Sequence, residues 1–85
     1  MRTPEYIKLA KRLDEALKKS PVRACLTDQI VIRKTVLRRG ATGSIKASKN
    51  YRWIFFPDGE RRRGIGMNLL DLYYLQIPTL NHYLD

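Results

Sequence analysis

The sequence predicts an α+β fold: an N-terminal helix, a three-stranded antiparallel sheet with a Pro-Asp-Gly hairpin, and a C-terminal helix. Three observations predict it. Ile7, Ala10, Leu13 and Leu17 recur at helical spacing near the start. A β-branched stretch (Ile30, Val31, Ile32, Thr35, Val36) and an aromatic stretch (residues 51–56) precede the turn signal Pro57-Asp58-Gly59. Finally, a leucine- and tyrosine-rich run follows Asn68 and stops before Pro78.

The first helix is bounded on both sides. Thr3 suits a cap, Pro4 the first helical position and Glu5 the positive end of the dipole. Tyr6, Leu9 and Ala16 widen the apolar stripe, while Lys8, Lys11, Arg12, Asp14, Glu15, Lys18 and Lys19 are expected on the solvent face. Lys18 and Lys19 complement the carboxyl end, and Ser20-Pro21 stops the helix. Residues 27–40 admit two readings. Thr27 suits a helix cap and Gly40 a helix end, yet five β-branched residues in seven disfavour a helix. A strand is therefore expected; the helical alternative makes residues 27–39 the recognition helix of a winged-helix variant.

Arg39 to Ser44 is a glycine-punctuated connection. Pro57 presets a turn and Gly59 takes its left-handed place, so residues 51–56 are expected to fold back on residues 60–66. Alternation sets Tyr51, Trp53 and Phe55 on one face and Arg52, Ile54 and Phe56 on the other. The first set reads better as core than as a stacking platform for bases, since so small a domain needs large apolar groups inside. In the last helix Asn68 is the expected cap and Asp71 its capping-box partner. Leu69, Leu70, Leu72, Tyr73, Tyr74, Leu75 and Ile77 surround nearly the whole circumference, which predicts burial on more than one side or association.

This order of elements is similar to that of double-stranded RNA-binding domains, and its hairpin-plus-helix half resembles the sheet modules of phage integrase arm-binding domains. Met67-Asn68-Leu69-Leu70 stands where the RNA-binding family has a lysine-rich helix start, so no site residue is carried over.

Charge gives the functional expectation. The net charge is +9, and residues 1–66 hold 17 Lys/Arg against six Asp/Glu, whereas residues 67–85 add only Asp71 and Asp85. Such a chain attracts polyanions. Because the densest charge falls in strands and turns rather than on a basic amphipathic helix, nucleic acid is preferred to a membrane surface, with DNA the first expectation and RNA left open. The expected contacts are Arg33, Lys34, Arg38, Arg39, Lys46, Lys49, Arg52, Arg61, Arg62 and Arg63; arginine's planar fork suits phosphate or guanine edges. A homodimer through residues 67–85 is expected to use Leu69, Leu70, Tyr73, Tyr74 and Ile77.

Two other functions carry the same charge: a mobile-element-type inhibitor or adaptor docking on an acidic or nucleoprotein partner, and a structural component of a ribonucleoprotein. No enzyme is expected. His82 stands alone, the carboxylates are explained by helix and turn chemistry, and Gly64-Ile65-Gly66 lacks the later glycine of a phosphate loop. The single Cys25 reads as a small buried hydrophobe, so neither a disulfide nor a metal or other cofactor is anticipated. With no apolar leader after Arg2 and no apolar run near the roughly twenty residues of a membrane span, one cytoplasmic domain over residues 1–85 is expected.

Overall fold

The computed structural model describes residues 4–50, 52–59 and 63–78. Its helix α1 spans Pro4–Lys19 and lies against the strand β4, Thr42–Ala47. Ala10, Leu13 and Leu17 form its buried stripe, joined by Asp14, which is only 2% exposed and not on the solvent face where the sequence predicts it. Asp14 lies one position beyond Leu13 and four beyond Ala10, on the edge of the stripe. One of its oxygens pairs with Lys18 Nζ at 3.2 Å.

The sheet corrects the predicted fold. Among the described residues, five strands, all antiparallel to their neighbours, run in the order β6 (Ile65–Met67), β5 (Trp53–Pro57), β4, β1 (Val22–Leu26), β7 (Leu75–Gln76), and a separate two-stranded ribbon is made by β2 (Ile30–Ile32) and β3 (Thr35–Leu37). Val22–Leu26 is β1, an element not predicted because its alternation is short and uses small residues. Ala24 and Leu26 point inward, while Arg23 is exposed and Cys25 half-buried, so Cys25 is not a core residue.

Residues 27–40 are neither one strand nor a helix. They fold as β2 (Ile30–Ile32) and β3 (Thr35–Leu37) around a two-residue turn, Arg33-Lys34, with Ile32 opposite Thr35 and Ile30 opposite Leu37. Ile30, Ile32 and Leu37 are buried, whereas Val31 and Val36 face out. A helix here would abandon this period-two burial, and with it goes the winged-helix variant.

The next hairpin is longer in its loop than predicted. β5 (Trp53–Pro57) pairs with β6 (Ile65–Met67), Phe55 opposite Ile65 and Trp53 opposite Met67. Gly59 has φ +88°, as its place in the turn requires, but the returning strand begins at Ile65, so Arg63 precedes the strand. Trp53 and Phe55 are fully buried with Ile45, Leu26, Met67 and Ile77, which places them in the core and not on a base-stacking surface.

The predicted C-terminal helix is a single turn. Asn68 caps α2, Leu69–Leu72, and both halves of the capping box form: Asp71 N–H donates to Asn68 Oδ1 at 2.9 Å and Asn68 N–H to Asp71 Oδ2 at 3.2 Å. The start signal thus operates, but the chain then turns at Tyr73-Tyr74 and enters β7, Leu75–Gln76, beside β1. Thr27 fastens the turn, its N–H and its hydroxyl both donating to the Tyr74 carbonyl, at 2.8 and 2.9 Å. An apolar residue on every side is poorly buried by a helix resting on one layer; as turn plus strand the same residues send Leu72, Leu75 and Ile77 inward. The dsRNA-binding-like order of helix, three strands and helix is therefore replaced by a predominantly β arrangement.

One close approach fixes the centre of the sheet. A Cβ on Gly43 would stand 2.3 Å from the Phe56 carbonyl oxygen and 2.9 Å from the Phe55 ring, so β4 and β5 meet there only because Gly43 has no side chain.

Candidate nucleic-acid interface

Between the β2–β3 ribbon and the β5–β6 edge lies a cleft of 710 Å³. Arg33, Arg38 and Arg63 line it, together with Ile32, Val36, Leu37, Ala41, Pro57 and Ile65, and among the described residues no carboxylate takes part. The three arginines are exposed and the isoleucines, Leu37, Ala41 and Pro57 buried or half-buried, so cations rim an apolar floor.

Local structure explains each rim position. Arg33 and Lys34 occupy the ribbon's tip with φ of 49° and 69°. Arg38 opens a turn closed by Ala41 N–H donating to the Arg38 carbonyl at 3.0 Å; Gly40 at φ +85° takes its third position, and Arg39 stands exposed at its crest. Arg63 arrives from the loop after Gly59.

That loop is anchored at its root. Arg23 Nη1 donates to Asp58 Oδ1 at 2.8 Å, Arg23 Nη2 donates to Oδ2, and Thr42 Oγ1 donates to Oδ2 at 2.7 Å. The Asp58 N–H in turn donates to the Thr42 carbonyl at 2.9 Å. Hydrogen bonds from Arg23 first, then from Thr42, hold the Asp58 carboxyl down at about 2. Arg23 is thereby spoken for, and its own pKa is raised by the hydrogen bonds to Asp58. Among the described residues, Arg23–Asp58 and Lys18–Asp14 are the ion pairs within 4 Å, and neither involves a cleft arginine.

The predicted cationic residues do not all gather. Arg33, Arg38 and Arg63 line the cleft, and Lys34 and Arg39 are exposed next to Arg33 and Arg38 in the chain. Lys46 sits on the outer sheet face, its Nζ 5.9 Å from the centre of the Phe56 ring. Lys49 and Arg52 belong to the β4–β5 turn, where Ser48 N–H donates to the Arg52 carbonyl at 2.8 Å. That turn lies at the far end of β4, roughly 17 Å from Thr42 at the usual strand rise. Arg61 and Arg62 lie outside the described residues, as do Tyr51, Glu60 and His82. Sequence reasoning missed the apolar floor and the outward Val31–Val36 pair, although the alternation of Ile30, Val31 and Ile32 carries the signal for both.

The residues expected at a twin contact differ in exposure. Ile77 is 1% exposed and Leu72 buried, so both serve the core, while Leu69 and Tyr74 are half-buried. Leu70 and Tyr73 remain outward, 50% and 66% exposed, with Tyr73 edge-on to Tyr74 at 6.0 Å between ring centres.

Among the described residues no three His, Cys, Asp or Glu side chains gather as metal ligands would. Nor is any described helix long and apolar enough to cross a membrane. Compared with protein-family models, with curated proteins and with solved structures, the chain matches none.

Proposed function

We propose that this protein is a non-enzymatic accessory or regulatory factor that binds nucleic acid, DNA in preference to RNA, with the phosphate backbone lying along the cleft. The supporting observation is the convergence of Arg63 with Arg33 and Arg38, some twenty-five residues earlier in the chain, on one cleft that no carboxylate of the described residues lines. Lys34 and Arg39 extend that surface. Like charges held together with no ion-pair partner among the described residues repel one another in the free protein, and an external polyanion relieves this repulsion. Guanidinium groups add bidentate hydrogen bonds to phosphate oxygens, stronger than neutral ones. The apolar floor suits the sugar and base edges that accompany a phosphate backbone.

Fluorescence anisotropy with a labelled duplex of about 20 base pairs tests this at low salt, where electrostatic binding is strongest. The wild type should bind, and Arg38→Glu/Arg63→Glu should weaken binding by at least about tenfold, as reversing two phosphate contacts requires. Equal affinity of wild type and variant, or no wild-type binding, sinks the proposal.

A further inference from the structure

The β2–β3 ribbon has two features that phosphate binding alone does not explain. Val31 and Val36 stand directly opposite each other, 60% and 50% exposed, on a ribbon whose Ile30, Ile32 and Leu37 serve the core. The tip, too, is built against local preference. Both residues of the two-residue turn have positive φ, the backbone for which Asn-Gly is strongly favoured, yet they are Arg33 and Lys34. A disfavoured backbone held in place by the fold marks a position where side-chain chemistry outweighs local comfort.

From these we infer that the ribbon enters the major groove of B-form DNA, with Val31 and Val36 against thymine methyl groups and Arg33 and Lys34 on the flanking phosphates. This rests on the nucleic-acid reading above and specifies its target. The dimensions agree. Three residue pairs make a ribbon about 10 Å long with strands about 4.8 Å apart. The major groove of B-DNA is about 12 Å wide and admits a two-stranded ribbon; the minor groove, about 6 Å wide, and the deep narrow major groove of A-form RNA do not. Charge selects the occupant, because the valine pair is bordered by Arg33, Lys34 and Arg38 and no Asp or Glu occurs between residues 30 and 57. Within the major groove, the thymine C5 methyl is the apolar group that such a pair meets.

The test compares duplexes of one A·T-rich sequence, carrying thymine or uracil, with wild type and Val31→Ala/Val36→Ala; circular dichroism confirms folding of the variant. The wild type should bind the thymine duplex about fourfold more tightly for each methyl buried. The variant should bind both duplexes alike, at about the wild-type affinity for the uracil duplex. Wild-type indifference to the methyl, or discrimination that survives in the variant, overturns the groove assignment while leaving phosphate binding intact. Failure to bind either duplex overturns both readings.

Discussion

Replacing the ribbon tip by Arg33→Asn/Lys34→Gly should make the protein more stable and a weaker ligand for polyanions. A residue bearing Cβ costs roughly 1–2 kcal/mol in the left-handed region, and Arg33 and Lys34 both occupy it. Glycine at position 34 removes that cost, and asparagine at 33 lowers it by hydrogen bonding locally; the greater freedom of glycine in the unfolded chain subtracts about 0.5–1 kcal/mol. The net gain is about 1–2 kcal/mol. For a domain of this size each kcal/mol moves Tm by about 4–8 °C, so a rise of about 4–16 °C is expected. Thermal and guanidinium unfolding followed by circular dichroism measure it, the latter with an unchanged denaturant slope. The same variant removes two cations and should flatten the salt dependence of DNA binding by about 1.8. An unchanged or lower Tm would refute the strained turn. A higher Tm with unaltered DNA binding would refute the tip's part in recognition.

Other perturbations probe the scaffold. Gly43→Ala should destabilise the protein by more than about 2 kcal/mol, because its Cβ meets backbone, the Phe56 carbonyl oxygen at 2.3 Å, which cannot swing aside; an unchanged denaturation midpoint would contradict the close approach of β4 and β5. Asp14→Leu copies the branched shape of a buried side chain whose Oδ1 has no hydrogen-bond partner, and should stabilise by about 1–3 kcal/mol; a fall in midpoint would show that the carboxylate contributes more than its pairing with Lys18 indicates. Asp58 titrates at about 2 in the folded protein, below its ordinary 3.8, so its contribution is complete above about pH 4 and is lost as pH falls through about 2. Carboxyl NMR titration should therefore show Asp58 moving up towards the ordinary range in Arg23→Ala, and less far in Thr42→Val; an unmoved value in both would deny the clamp.

How legible the molecule was depended on whether a signal was local. The α1 helix, the Asn68–Asp71 capping box and the glycine at the 57–59 turn act through neighbouring residues, and all three form, although Ile7 of the predicted stripe is 39% exposed and Asp14 is buried in its place. The strand partners do not. Val22–Leu26 becomes a strand because β4 and β7 lie on either side of it, and neither is near it in sequence. Leu75 and Ile77 satisfy helical and alternating patterns equally, and the free edge of β1 decides in favour of the strand. Arg33-Lys34 carries no turn signal at all; tertiary burial of Ile30, Ile32 and Leu37 imposes the turn. The arginine cluster was legible as charge but not as geometry, since which cations share a cleft depends on which strand ends coincide: Arg38 and Arg63 do so at the Pro57 end, and Lys49 and Arg52 are carried to the other.

The central claim is that a particular set of cations binds phosphate together. The slope of log affinity for duplex DNA against log salt measures it directly, at about 0.9 per phosphate neutralised. Engagement of Arg33, Lys34, Arg38, Arg39 and Arg63 gives an expected slope of about −4.5, reduced to about −2.7 or shallower by Arg38→Glu/Arg63→Glu and nearly unaffected by Lys49→Glu/Arg52→Glu. A flat wild-type line, or equal flattening by the two pairs of substitutions, would contradict the account.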